Sequence, residues 1–212
     1  MPHADACAWL ITNHAPKEIS SGYHRITGDL IAVDKGLEKL HVLGLTPLLI
    51  IGDFDSIDPD ILKLYPDIPR ISFETAKNET DTELALNWCI KQGYSRVVIC
   101  NDMQGRFDHS AAIIQNLIDL HQKAIDCRID SGQQTIFFLG QETLIPGKKG
   151  DLLSLISYSQ EARFAASENL QYPLAGLVIH QHQSRGISNV FSSSEAHISL
   201  QSGLVLAIHT HS

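Results

Sequence analysis

In the run Leu48-Leu49-Ile50-Ile51-Gly52-Asp53-Phe54-Asp55-Ser56-Ile57, two carboxylates follow directly on a block of aliphatic residues. Spaced i and i+2, Asp53 and Asp55 point the same way wherever the backbone stays extended. Carboxylates about 6 Å apart repel by roughly 3 kcal/mol at an effective dielectric of 20, equivalent to about two pKa units. A divalent cation offsets that repulsion, and Mg2+ in particular takes one or two protein carboxylates together with substrate phosphates. The competing reading is a strand-end turn in which either Asp bonds to its own backbone.

Two later stretches carry related chemistry. Lys77-Asn78-Glu79-Thr80-Asp81-Thr82-Glu83 reads as a loop feeding a helix, with Thr80 and Glu83 at capping-box spacing and Asp81 in the first turn. Asp81 there complements the helix dipole, and with Lys77 it could also hold a phosphate and its metal. In Asn101-Asp102-Met103-Gln104-Gly105-Arg106-Phe107-Asp108-His109, a guanidinium precedes a helix expected from about Ser110. Arg106 is placed to clamp a phosphate, and Asp108 is either the N-cap of that helix or a ligand contact. Far along the chain, Ser188-Asn189 lies in a polar loop that either faces a ligand or is a surface turn.

The elements that position these residues follow from their patterning. Largely apolar stretches at Cys7–Thr12, Leu30–Val33, Leu48–Ile51 and Arg96–Cys100, the last with Val-Val-Ile at its centre, suit buried strands of a parallel sheet. Each ends in polar residues, where open α/β sheets collect ligands. Helical stripes fall between them: Leu37, Leu40 and Leu43; Leu84, Ala85, Trp88 and Cys89, closed by Gly93; and Ile113, Ile114, Leu117, Ile118 and His121. Strands are also expected at Arg70–Phe73, Asp126–Ser131 and Thr135–Leu139. From about residue 140 the pattern changes to short strands and turns, at Glu142–Ile145, Leu152–Ser157, Ala175–His180, His197–Leu200 and Leu204–His209. The chain therefore divides into an α/β domain over residues 1–138 and an all-β domain over 139–212.

With 212 residues and 43% apolar content, a real core is within reach. Sixteen Lys and Arg against 24 Asp and Glu leave a net charge of −8, which offers no basic footprint for nucleic acid. Phosphates must then be bound through local cations or metal. The start Met1-Pro2-His3-Ala4-Asp5 lacks a basic leader, and no apolar run reaches membrane-span length, so a cytoplasmic protein with no membrane partner is expected. Cys7, Cys89, Cys100 and Cys127 are widely spaced, and the first, second and third read as buried thiols.

Taken in order, these motifs resemble the thiamine pyrophosphokinase family. Asp34-Lys35-Gly36 is similar to its Asp-Gly-Gly loop, Gly52–Ile57 to its Gly-Asp-Phe-Asp-Ser-Ile stretch, and Lys77–Asp81 to its Lys-Asp-x-Thr-Asp loop. Gln104–His109 is similar to Gly-Gly-Arg-x-Asp-His, Leu170–Leu174 to Leu-Lys-Tyr-Pro-Leu, and Ser188-Asn189 to a late Ser-Asn. The departures are Lys35 and Gln104 for glycines, Asn78 for an Asp, and Val190 where bacterial members often carry Glu.

The resemblance implies a Rossmann-like nucleotide-binding domain, a β-sandwich that binds thiamine, and a homodimer with thiamine between subunits. It also implies diphosphoryl transfer from ATP to the thiamine hydroxyl, releasing AMP. Asp53, Asp55 and Asp81 would hold Mg2+, with Arg106 beside them in the catalytic set. Asp34, Lys77, Thr80, Arg106, Asp108 and His109 would bind nucleotide and phosphates, and Ser188 and Asn189 the substrate. Three other readings stand beside this one: diphosphoryl transfer to another alcohol such as a pterin, a haloacid-dehalogenase-type phosphohydrolase with an aspartyl-phosphate on Asp53, and a non-catalytic thiamine sensor.

Overall fold

The computed structural model describes residues 6–17, 27–73 and 78–212. It forms two compact units, Met1–Gly132 and Gln133–Ser212.

The N-terminal unit contains β1 (Cys7–Ile11), β2 (Asp29–Val33), α1 (Gly36–Val42), β3 (Leu49–Gly52), α2 (Pro59–Lys63), β4 (Arg70–Ser72), α3 (Asp81–Gln92), β5 (Arg96–Cys100), α4 (Phe107–Gln122) and β6 (Asp126–Asp130). Its strands lie in the order β6-β5-β1-β2-β3-β4, and every neighbouring pair is parallel. The central strands are buried on both faces, which is why they read as continuous apolar runs. From β1 the chain steps outward through β2, β3 and β4, then crosses back to lay β5 on the other side of β1. The connections leaving β1 and β5 therefore diverge, and a crevice opens between them at the carboxyl ends of the strands.

Helix α3 starts where the capping-box spacing places it. Thr80 Oγ1 accepts the Glu83 backbone N–H at 3.1 Å, and Gly93 ends the helix in the left-handed region at φ 85°. Ala85, Leu86 and Cys89 face the core. Because that cap satisfies an otherwise orphaned donor, Thr80→Ala is expected to cost about 1 kcal/mol, read as a lowered midpoint in urea. Helix α4 begins at Phe107, earlier than the expected Ser110. Arg106 occupies its N-cap position, so Asp108 lies inside the first turn and is not the cap. Helix α2 was not expected; Asp58 caps it by accepting the Asp60 N–H at 2.8 Å, with Pro59 at its first position.

The C-terminal unit is all β: β7 (Gln134–Phe138), β8 (Glu142–Pro146), β9 (Leu152–Ser157), β10 (Glu161–Glu168), β11 (Val178–His180), β12 (Asn189–Val190), β13 (Glu195–Ser202) and β14 (Val205–Thr210). Within it, β12-β9-β14-β7 and β11-β10-β13-β8 are antiparallel sets. Both contribute to one core that includes Phe137, Leu153, Leu155, Phe164, Ile198 and Ala207. The division between units falls at Gly132, before the expected cut after residue 138, because β7 pairs with β14 over Gln134–Phe138. Strand β10 also escaped the sequence pattern. It is broken by register shifts around Phe164, so its alternation of buried and exposed residues is interrupted.

All four cysteines are buried and free. Among the described residues, no helix is long and apolar enough to cross a membrane.

Candidate active site

Three loops at the carboxyl ends of parallel strands bring carboxylates together. Asp34 follows β2 in a left-handed conformation (φ 46°), with its N–H donating to the Ile51 carbonyl at 2.8 Å. Gly52 ends β3 at φ 153°, and a Cβ there would overlap Asp34 Oδ1, so the glycine is what admits the Asp34 carboxylate against this backbone. The Asp53 N–H then donates to Asp34 Oδ1 at 3.2 Å. Asp81, the first residue of α3, is the third member, and its carboxyl meets that of Asp34. Burial, then the contact with Asp81, then the charge of Asp53 push the Asp34 carboxyl up to about 7.

The backbone between Asp53 and Asp55 is not extended. Phe54 is left-handed at φ 65°, and the Asp55 N–H donates to Asp53 Oδ1 at 3.2 Å. The i, i+2 argument for a shared direction therefore fails here, and the turn expected as the plainer alternative is present. Asp53 is half-buried beside Asp34, while Asp55 is exposed.

Asp34 and Asp81 line a cleft of about 370 Å3 together with Lys35, Ser56, Thr80 and His109, while Asp53 and Asp55 lie outside its lining. Its other wall comes from the β1 and β5 ends, with Thr12, Asn13, His14 and Asn101. Two buried polar residues tie these ends together. Thr12 Oγ1 donates to the Cys100 carbonyl at 2.8 Å and accepts from Asn101 Nδ2 at 3.1 Å. Asn101 Oδ1 in turn accepts the Met103 N–H at 2.9 Å, and the Asp102 N–H reaches the His14 carbonyl at 2.6 Å. Sequence reasoning passed over Thr12, Asn13, His14 and Asn101 as site residues. Their signal was the polar end of two buried strands, which becomes specific only once β1 and β5 are known to be neighbours.

Arg106 and Asp108 lie outside the cleft lining, joined in an exposed bidentate pair at 3.1 and 2.6 Å. The guanidinium holds the Asp108 carboxyl below the usual carboxylate range. Lys77 lies outside the described residues.

The departures at the loops have physical readings. Lys35 adopts φ −60°, which needs no glycine, and pairs with Glu38 at 4.0 Å. Gly36 is required by packing, since a Cβ there would overlap the Ile11 carbonyl. Beside Gln104, it is Met103 at φ 57° and Gly105 at φ 132° that adopt left-handed conformations.

Residues 27–129 match the family model described as "Thiamin pyrophosphokinase, catalytic domain", and residues 141–205 match "Thiamin pyrophosphokinase, vitamin B1 binding domain". The chain belongs to the thiamin pyrophosphokinase family. A thiamine pyrophosphokinase of Bacillus subtilis is 27% identical over 184 residues, covering 85% of this chain and 86% of that one. Thiamin pyrophosphokinase 1 of Caenorhabditis elegans is 22% identical over 229 residues, covering 97% and 89%. The crystal structure of the Bacillus subtilis protein superimposes with a TM-score of 0.84 at 27% identity, over 98% of this chain and 99% of that one. The yeast enzyme, at 14% identity and a TM-score of 0.76, covers 99% of this chain and 87% of its own and shares the fold.

Within the segment matching the family's vitamin B1 binding domain, Ser188 is left-handed (φ 59°), and its N–H donates to Ser154 Oγ at 3.1 Å. Asn189 is buried, and its carboxamide bonds inward. Nδ2 donates to the Tyr172 carbonyl at 2.7 Å, and Oδ1 accepts the N–H groups of Tyr172 and Val190 at 3.0 and 2.9 Å. These bonds fix the backbone at Tyr172, whose side chain is exposed.

Proposed function

We propose that this chain, a thiamine diphosphokinase by family, transfers a diphosphoryl group from ATP to the hydroxyl of thiamine and releases AMP. The observation that carries the reading is the meeting of Asp34 and Asp81 at one cleft, with Asp53 bonded to Asp34 from the next strand-end loop, in a chain that matches both family models. In this reading the N-terminal unit is a Rossmann-like nucleotide-binding domain and the C-terminal unit a β-sandwich that binds thiamine. The active form is a cytoplasmic homodimer with thiamine held between subunits.

The donor set fits Mg2+. Hard carboxylate oxygens are crowded enough to keep Asp34 from ionising at its ordinary pH, a repulsion that a divalent cation relieves. Asp53, Asp55 and Asp81 would hold the ion, with Asp34 accepting the Asp53 backbone N–H beside them. When bound, Mg2+ neutralises charge on the phosphates being transferred.

The remaining residues orient and balance the reactants. Thr80 Oγ1 accepts the capping bond from Glu83, which leaves its O–H to donate to a phosphate oxygen. His109 faces the cleft from the first turn of α4, where backbone N–H groups favour an anion. Arg106 leaves Asp108 at small cost, because water screens an exposed ion pair and solvates both partners once they part, and turns its fork to the transferring group, where Lys77 would be the second cation. The thiamine oxygen attacks the β-phosphorus, the bond from that phosphorus to the α,β-bridging oxygen breaks, and AMP departs. Ser188 offers its hydroxyl to thiamine, while Asn189 acts through the Tyr172 segment that it holds.

The test is an assay with thiamine, ATP and Mg2+ in which AMP and thiamine diphosphate are quantified together. Equal yields are expected. Arg106→Ala is expected to lower kcat/KM by about 100-fold while leaving the melting temperature unchanged, since the side chain is exposed and its loss removes only transition-state charge balance. AMP that appears with another alcohol and not with thiamine would replace the acceptor. Free phosphate without AMP would replace the reaction by hydrolysis.

A further inference from the structure

The C-terminal unit carries a cluster of metal-ligating side chains that diphosphoryl transfer does not use. Strands β9 and β14 pair with Leu152 opposite Thr210, so the same register continued by one residue sets Asp151 opposite His211. His209 and His211, spaced i and i+2, fall on the same side of their strand. The ligand atoms of Asp151, His209 and His211 lie within 4.8 Å of one another. Asp151 is completely inaccessible, His209 is 2% exposed, and His211 is half-buried. We propose that these three side chains form a site for one divalent cation of the zinc class.

A buried carboxylate needs hydrogen-bond donors, and Asp151 has three without any histidine. Oδ1 accepts the Ser212 N–H at 2.9 Å and its hydroxyl at 2.8 Å, and Oδ2 accepts the Lys148 N–H at 2.8 Å. The two imidazoles exceed that requirement. His209 Nε2 stands 2.9 Å from Asp151 Oδ2. An ion about 2.1 Å from both atoms would subtend an angle of about 90° between them, within the range of zinc-class coordination. It would take the place of the proton that the pair now shares. His211 would close on the same ion as the third protein ligand, and it is the least buried member of the set.

The surroundings already orient these ligands. Asp151 is fixed by its backbone and hydroxyl donors, His211 Nε2 bonds Thr135 Oγ1 at 3.0 Å, and Phe191 stacks on His209 with ring centres 4.8 Å apart. Partners of this kind fix ring orientation and tautomer in metal sites. Two imidazole nitrogens and one carboxylate oxygen suit a borderline cation such as Zn2+ or Co2+ and not Mg2+, which prefers oxygen. The site is therefore chemically distinct from the acidic cleft, and its test is independent of turnover.

In the experiment, full-length protein freed of metal by a chelator is titrated with Co2+ in excess Mg2+, which occupies the carboxylate cleft. A visible ligand-field band is expected to saturate at one Co2+ per chain and to disappear on addition of Zn2+. His211→Ala and His211→Asn, the second keeping a partner for Thr135, are each expected to weaken Co2+ binding at least about 100-fold. Zn2+ is expected to raise the melting temperature of the unaltered protein and not of these variants. A variant with His180→Ala and His182→Ala, whose rings stack outside the cluster, is expected to bind normally. Absence of a saturable band, equal binding by the His211 variants, or loss of binding only in the His180 and His182 variant would each overturn the proposal.

Discussion

Asp53→Asn and Asp81→Asn are each expected to lower kcat/KM by about 1000-fold or more, with the protein folded and its melting temperature unchanged or raised. The magnitude follows from removing one anionic ligand from a site whose work is electrostatic, at about 1.4 kcal/mol per tenfold change in rate. Folding is spared because these carboxylates repel one another in the free protein. Burial, Asp81 and Asp53 together hold the Asp34 carboxyl up to about 7, so neutralising either neighbour relieves a cost. The carboxamide introduced by Asp53→Asn keeps an oxygen for the Asp55 N–H, which preserves the turn. Two measurements check the expectation: steady-state kinetics against Mg2+ concentration, and thermal unfolding without ligands. Activity within tenfold of the unaltered protein in both variants would remove these residues from the metal site.

The buried strands were legible because a parallel strand covered on both faces leaves an unbroken apolar run, as at Leu49–Gly52 and in the Val-Val-Ile-Cys stretch that follows Arg96 in β5. The start of α3 was legible because Thr80 and Glu83 act locally. What the sequence hid is what depends on neighbours. Strand order decides that Thr12 and Asn101 meet, and no local pattern encodes it. Asp53 and Asp55 are split by a left-handed Phe54, a conformation rare enough for an aromatic residue that an extended backbone was the natural expectation. The best-coupled carboxylate pair, Asp34 with Asp81, joins residues far apart in sequence through the glycine at position 52. Asn189 shows the converse, where a motif residue expected at the ligand spends its polar atoms on the Tyr172 and Val190 backbone.

Asp34→Asn is expected to separate stability from activity. In the folded protein the Asp34 carboxyl titrates near 7, whereas in the unfolded chain it titrates at its ordinary value of about 4. As pH rises between these values, the unfolded chain gives up its proton first and is favoured. The cost of Asp34 to folding is therefore absent below about pH 4, grows across this window and is complete above about pH 7. Asparagine has no such titration and keeps an oxygen to accept the Asp53 N–H, as Asp34 Oδ1 does at 3.2 Å. Allowing for partial exposure and coupling to Asp81, the variant is expected to be more stable by about 1–3 kcal/mol at pH 8, or several degrees in melting temperature, with little difference at pH 4. Catalysis moves the other way. Losing this charge weakens the hold on Mg2+, and kcat/KM for thiamine falls by about 100-fold or more at saturating nucleotide. Melting curves at pH 4 and pH 8 beside kinetics at pH 8 test both halves. A variant less stable than the parent at pH 8 would show that the Asp34 carboxylate is already compensated by a partner in the free protein, and that the three carboxylates do not need a cation to coexist.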